Sequence, residues 1–428
     1  MSQFITIQVG QCGNQIGSAF WPLALHEYGI DTANTGMNLL KIQRNYIKNL
    51  SDLSDAFHSF FFVPDNRHDF CFKTVNDLRR AKVKARAILI DMEDSVVGGL
   101  KRGPLRDLFD QKCTVTNYPG CGNNWAVGYH TYGNEYHEKL EDAIRLTVEK
   151  CSQLHGFLIL HSLGGGTGSG LGTAVLKLLA DNYPVVDRLV SCIYPTAMQD
   201  VVTAPYNALL ATQELIEHAT CVFPIENTSL LDICNAQLRK KENINQLNYN
   251  ISCKPFQDMN SIIVNMLLHL TRLIDELFAD AWSRNNQLIK VDPLQADSKV
   301  LSAAHIVRGN CFISDLKRNI EKFQRKSTCT EWSRDAMKIG LCSVPPAGHS
   351  TSLLCLLNSS SMSLLFKNII KQFVTLYKRK AHVYHYTQVR GFEEAHFVNS
   401  KEIILNLIAR YTELENQRPT SISRLQII

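Results

Sequence analysis

Short apolar runs and amphipathic stretches alternate along the first 270 residues. Residues 4–9, 86–90, 113–116, 157–160, 189–194 and 221–225 are brief apolar or β-prone runs, the pattern of strands buried on both faces. Helical patterns separate them. One follows Gly17 through Phe20, Trp21, Leu23, Ala24 and Leu25. A second covers 140–154, with Ile144, Val148 and Cys151 on one face. A third follows Gly172 with Ala174, Leu176, Leu178 and Leu179, and a fourth covers 208–218. Strands alternating with helices predict an α/β fold on a doubly wound, mostly parallel sheet, with its loops on one edge. Residues 256–270 are apolar nearly all round, which predicts a long core helix acting as a spine between two domains. Beyond it, helices over 274–283 and 316–323 and strands over 303–309, 337–344 and 352–357 predict a second, smaller α/β domain. Helices over 364–384 and 398–414 close the chain. The expected divisions are 1–255, 256–272, 273–362 and 363–428. Polar stretches at 31–80, 200–207 and 234–255 read as loops, the first an exposed insertion carrying Phe60, Phe61 and Phe62.

Two of the strand–helix junctions are dense in glycine. Residues 157–179 read FLILHSLGGGTGSGLGTAVLKLL, a strand, then residues 164–170, then a helix. Glycines let the backbone approach a phosphate, and the free N–H groups of a helix start point at it. Ser162 and Thr167 add hydroxyl donors. The stretch lacks GxxxxGK[ST], and Leu171 stands where the last glycine of a dinucleotide fingerprint would fall. Residues 10–17, GQCGNQIG, repeat the theme: Gln11, Asn14 and Gln15 offer amides, and Gln11 is placed to reach a phosphate or metal-bound water. Cys12 has no paired base in view and reads as packing beside a ligand.

Further candidates sit where the other strands end. Asp91 and Glu93 follow the strand at 86–90 and suit a hydrated Mg2+ beside phosphates, since that ion favours one or two carboxylates plus water. Asn123, after a glycine-rich turn, is a third phosphate-side contact. Asn227 offers a donor and an acceptor to a purine edge. Phe256 and Asn260, at the start of the spine helix, could stack on and bond to a base.

Composition narrows the class. The chain has 428 residues, 45% hydrophobic and 20% charged, with a formal net charge of +5. Basic clusters at 79–84 and 378–380 are local, so no nucleic-acid partner is expected. Thirteen cysteines without CxxC spacing fit reduced cytosolic thiols better than a zinc ribbon or a disulfide framework. No uninterrupted apolar stretch approaches about 18 residues, so no membrane partner is expected either.

Residues 10–17, GGGTGSG at 164–170, Pro205-Tyr206-Asn207 and the order of elements together resemble the tubulin family, from Gln3 to about Leu414. Within it the likeness is to the epsilon-tubulins, on LIDMEDSVV, GPLRDLFD, GNNWAVG, CSVPPAGHS and LYKRKAHVYHY. The resemblance implies GTP and Mg2+ as ligands. Gly164, Gly165, Gly166, Thr167, Gly168 and Ser162 would surround the phosphates, and Gly10, Gln11, Cys12 and Gln15 would lie along the nucleotide. Asp91 and Glu93 would stand near the γ-phosphate and Mg2+, with Glu93 the metal-side residue, and Asn123 would meet the phosphates. Asn227, Phe256 and Asn260 would contact guanine, and no catalytic residue is assigned. It also implies delta-, alpha- and beta-tubulin and centriole components as partners, at the centrosome, centrioles and basal bodies of the cytoplasmic cytoskeleton. The alternative is an ordinary microtubule-polymerising subunit.

Three departures from the family pattern matter. Ala204 replaces the glutamate before Pro-Tyr-Asn. The end of the sequence is not acidic. After Arg272 the chain runs straight into Leu273-Ile274-Asp275-Glu276, which resembles a later helix, so a block bearing the GxLNxDxxE loop, a helix, a strand and the lateral-contact loop is missing. The expectation is GTP binding without the power to activate hydrolysis in a neighbour. A transcript sequenced across that junction separates a true deletion from a splicing artefact.

Overall fold

The structure is a computed structural model. It describes residues 3–30, 32, 57–64, 72–196, 201–244, 255–268, 286–293, 295, 298–309, 313–334, 337–342 and 351–417. The chain divides into two compact units, one of residues 1–268 with 372–401 and one of residues 269–371 with 402–428.

The first unit is built on strands β1 (Gln3–Val9), β4 (Ala87–Asp91), β5 (Thr114–Thr116), β6 (Leu154–Ser162), β7 (Asp187–Tyr194) and β8 (Cys221–Glu226). A separate two-stranded sheet pairs β2 (Phe61–Phe62) antiparallel with β3 (Lys84–Ala85). The six strands pair in parallel in the order β5-β4-β1-β6-β7-β8. From β1 the chain winds outward through β4 to β5, then returns to β6 and winds the other way. The reversal falls between β1 and β6, the position at which doubly wound sheets bind ligands outside their carboxyl ends. Ile5, Ile7, Ile88, Ile90, Phe157, Ile159 and Leu160 are wholly buried, as strands covered on both faces require.

Besides a short helix at Val75–Arg80, inside the stretch expected to be a loop, the main helices of this unit are α1 (Gly10–Glu27), α2 (Asp94–Arg102), α3 (His137–Val148), α4 (Gly172–Asn182), α5 (Ala204–His218), α6 (Asn227–Ile244) and α7 (Pro255–Leu268). α7 packs on α1 and α6 and buries Met259, Ile262, Ile263, Val264 and Met266.

Several boundaries differ from the sequence reading. α1 starts at Gly10, so residues 10–17 are its first two turns and not a loop before it. The cause is close packing: a Cβ at Gly13 would stand 2.1 Å from the Leu160 carbonyl oxygen, and one at Gly17 would stand 2.0 Å from Gln8 Oε1. The central helix likewise begins early, as a π-turn over Thr167–Leu171 that runs into α4. α3 ends at Val148, leaving Cys151 outside it. α5 begins at Ala204, inside the expected loop, with Pro205 at its first turn where a missing N–H costs nothing. α6 continues to Ile244 through residues expected to form a loop. Phe61 is wholly buried and Phe60 and Phe62 are half-buried, so the aromatic patch at 60–62 packs inward and is not exposed insertion.

The second unit contains β9 (Val300–Gly309), β10 (Lys338–Cys342) and β11 (Thr351–Ser359) in the order β10-β9-β11, with β10 parallel and β11 antiparallel to β9. Helix α8 (Ile313–Lys326) places Leu316 and Ile320 in a core with Val307 and Leu353, while its Phe323 meets Val300 and Ala303. The helix expected over 274–283 and the 272–273 junction lie outside the described residues. The helix expected over 364–384 is α9 (Ser363–Tyr377), ended by a turn with Lys380 and His382 at φ +49° and +60°, then a short helix Val383–Thr387. α10 (Glu394–Asn416) completes the description. Among the described residues no helix is long and apolar enough to cross a membrane.

Candidate functional site

β1 and β6 are neighbours, so the glycine-dense segments that follow them emerge side by side. Gly10 has φ +72°, and a Cβ on it would stand 3.1 Å from the Gly168 backbone nitrogen and 3.6 Å from Thr167 Cβ. Two helix starts therefore meet at the switch point, and neither carries an acidic residue in its first turn. Their unpaired N–H groups and aligned peptide dipoles favour an anion there.

The second corner is tightly folded. A Cβ at Gly168 would lie 2.6 Å from the Ser162 carbonyl oxygen, and one at Gly166 would lie 2.6 Å from the Asn124 nitrogen. Gly165 has more room, its nearest neighbour being Asn123 Oδ1 at 3.6 Å. The Ser169 hydroxyl donates to the Gly165 carbonyl. His161 is wholly buried, and burial holds its pKa down at about 4. The neutral ring stands with Nδ1 2.7 Å from the Gly168 carbonyl oxygen. A carbonyl only accepts, so Nδ1 carries the hydrogen.

The acidic loop and the Asn123 loop close on the same place. Asp91 ends β4 with only 2% of its surface exposed. Its Oδ1 accepts the Glu93 N–H at 3.2 Å, while Oδ2 is buried without a hydrogen-bond partner. Burial first, and then the Glu93 and Asp94 charges, push its pKa up to about 6. Glu93 is exposed and lies against Gly120, where φ is +94° and a Cβ would fall 2.8 Å from Glu93 Oε1. The Thr167 hydroxyl donates to Cys121 Sγ at 3.2 Å, which links this turn to the central corner. An orphaned carboxylate oxygen beside an exposed carboxylate fits a cation. Among the described residues no group of three or more His, Cys, Asp or Glu gathers around one point. A metal here would therefore complete its shell with water and phosphate oxygens, the habit of Mg2+.

Of the sequence candidates, Gly10, Ser162, residues 164–168, Asp91, Glu93 and Asn123 converge on the β1–β6 switch point. Gln11 is exposed, and Cys12 and Gln15 are half-buried on the opening turns of α1. Desolvation pushes the Cys12 thiol up to about 12, so it is protonated at neutral pH and no nucleophile. Asn227, the first residue of α6, follows β8 on the same sheet edge, two strands and roughly 10 Å along from β6. Phe256 and Asn260 stand on α7, and the Phe256 ring is 67% exposed.

Sequence reasoning missed the groups that hold the loops. Asn207 is wholly buried and bonds to both the Asn123 and Gly164 backbones. The Thr203 hydroxyl also donates to the Asn123 carbonyl, at 2.8 Å. Asn124 Nδ2 donates to the His385 carbonyl at 2.8 Å. Pro205-Tyr206-Asn207 stood out as a motif, but its role depends on contacts some 40 to 180 residues away in sequence.

Residues 3–235 match the family profile "Tubulin/FtsZ family, GTPase domain", and residues 255–371 match "Tubulin C-terminal domain". The tubulin epsilon chain of Mus musculus is 38% identical over 479 aligned positions, covering 97% of this chain and 96% of that protein. The tubulin epsilon chain of Homo sapiens is also 38% identical, with the same coverages. The tubulin beta chain of Pneumocystis carinii is 30% identical over 97% of this chain and 96% of its own length. An alignment of 479 positions exceeds the 428 residues of this chain, so the mouse protein has residues for which this chain has none.

Proposed function

Because the chain belongs to the tubulin family, we propose that it binds GTP across the β1–β6 switch point and acts as a structural subunit of centriolar microtubules. In that role it helps to assemble or stabilise the doublet and triplet microtubules of centrioles and basal bodies, with delta-, alpha- and beta-tubulin as partners. The observation that carries the nucleotide part is the contact of the two glycine corners, Gly10 against Gly168. The likeness to epsilon chains carries the centriolar part.

In this reading the helix starts at Gly10 and Thr167, with the Ser162 and Thr167 hydroxyls, bind the phosphate oxygens. Asn123 faces the terminal phosphate, and Asn227 and Asn260 bond the guanine edge while Phe256 stacks on it. Asp91 and Glu93 would hold Mg2+ through its waters, and that ion supplies charge neutralisation at the β- and γ-phosphates. Hydrolysis needs a carboxylate that orients the attacking water. The block missing after Arg272 would have presented one to the next subunit, so this chain leaves its neighbour's GTP intact.

The test replaces the endogenous protein with a tagged copy and scores centriole blades. The tag is expected at centrioles, and depletion is expected to leave singlet in place of doublet and triplet blades. Incorporation along ordinary microtubules with normal blades would overturn this reading in favour of a polymerising subunit.

A further inference from the structure

Asn207 uses every hydrogen-bonding valence of its side chain: three bonds go to two loops of the site wall, and the fourth goes to a neighbouring segment. Nδ2 donates to the Asn123 carbonyl at 2.9 Å and to the Gly164 carbonyl at 2.8 Å. Oδ1 accepts from the Trp125 N–H at 2.9 Å and from the Tyr386 hydroxyl at 2.6 Å. An amide has two donor hydrogens and two acceptor lone pairs, so the set is complete and fixes which end is oxygen. The residue is wholly buried. Asn123 sits at φ +53°, a left-handed conformation that costs a non-glycine residue energy, and its carbonyl also accepts from Thr203.

The fourth bond leads away from the site. Tyr386 is wholly buried against Tyr206, Phe392 and Phe397. Burial raises its phenol above the ordinary value, so it remains a donor at working pH. Two backbone carbonyls flanking it are held from the same wall: Ala381 accepts from the Tyr206 hydroxyl at 2.7 Å, and His385 accepts from Asn124 Nδ2. The surface of this segment is exposed at Lys380, His382, Tyr384 and His385.

We propose that Asn207 is a positioning residue that sets the spacing of the Asn123 and Gly164 backbones for the nucleotide phosphates, and that Tyr386 ties this spacing to the exposed segment 380–388. The proposal rests on the nucleotide reading above and adds a coupling to it. Filling the phosphate site holds both backbones, and through Asn207 and Tyr386 it holds the segment. Whatever grips the segment holds the phosphate loops in return, since coupling between sites is reciprocal.

The test uses the full chain and three variants: Tyr386→Phe, which keeps the ring and loses one hydroxyl; Asn207→Ala; and Asn207→Asp, which sets a carboxylate against two carbonyls. Affinities for GTP and GMP are compared, and amide hydrogen exchange is followed at 123–126, 164–168 and 380–388. Tyr386→Phe is expected to weaken GTP binding about three- to tenfold with GMP within twofold, and Asn207→Asp more than a hundredfold for GTP. In wild type, GTP should slow exchange at 380–388, and in Tyr386→Phe that slowing should vanish. Equal losses for GTP and GMP, or slowing that survives in Tyr386→Phe, would overturn the proposal. If wild type binds no GTP, the nucleotide reading falls instead. The coupling is then judged on nucleotide-free protein, where Tyr386→Phe must speed exchange at 123–126 and at 380–388 together.

Discussion

At the residue scale, glycine and one buried carboxylate carry the most information. Gly165 and Gly168 stand three residues apart and meet opposite surroundings. An added methyl at Gly165 finds its nearest neighbour at 3.6 Å, whereas at Gly168 it would sit 2.6 Å from a backbone carbonyl. Gly168→Ala should cost about 1–3 kcal/mol of stability and abolish measurable GTP binding, while Gly165→Ala should fold with wild-type stability; urea unfolding and nucleotide titration read both. Asp91 behaves differently. Its folded pKa of about 6 lies above the ordinary 3.8, so between those values the folded protein keeps a proton that the unfolded chain has released. Its contribution to stability therefore falls as pH rises from about 4 to 6 and stays lost above that. Asp91→Asn should raise the stability of nucleotide-free, metal-free protein at pH 7.5 by about 3 kcal/mol and remove the Mg2+-dependent gain in GTP affinity. Stability unchanged at pH 7.5 would contradict this account of the site.

At the element scale, the junction of α1 with the sheet holds the first corner in place. Asn14 is wholly buried, and its Nδ2 donates to the Gly10 carbonyl at 2.9 Å and the Ile90 carbonyl at 3.0 Å. It thereby fastens the first turn of α1 to β4. Asn14→Ala should cost about 2–3 kcal/mol, the penalty of leaving two buried acceptors unmet, and should weaken GTP binding by loosening Gly10; thermal unfolding and titration check each part. The elements also show what the letters could reveal. Brief apolar or β-prone runs marked all six strands of the large sheet, because strands covered on both faces need no alternation; even the polar Thr6 and Gln8 of β1 are buried. Helix starts were harder. Gly10, Gly13 and Gly17 have helical spacing, and read that way they mark the face of α1 that approaches the sheet, but glycine is also the commonest sign of a turn. α6 was hidden by polarity: residues 237–243, Gln-Leu-Arg-Lys-Lys-Glu-Asn, consist mostly of good helix formers without an apolar stripe. The residues that gather at the switch point were legible because strand ends announce them, whereas the Asn207 bonds were not, since all four partners lie far from it in sequence.

At the scale of the whole molecule, the second unit carries the liability. Among the described residues β10 is an edge strand, with Ile339 and Leu341 each about half exposed and Lys338 and Cys342 also exposed. Apolar, exposed edges recruit other chains. Purified protein should self-associate with rising concentration, and Leu341→Lys should suppress this without altering GTP affinity, as light scattering and titration would show. That separation matters, because the residues proposed for the nucleotide site all belong to the first unit. The central claim is that two glycine corners at one strand reversal together grip a guanine nucleotide. It is tested most directly by titrating purified wild-type protein with GTP, ATP and NAD, alongside Gly166→Val and Asn227→Ala. The account predicts selective binding of GTP, lost in Gly166→Val and weakened with reduced preference for guanine in Asn227→Ala. Binding of NAD, or GTP binding that survives Gly166→Val unchanged, would contradict it.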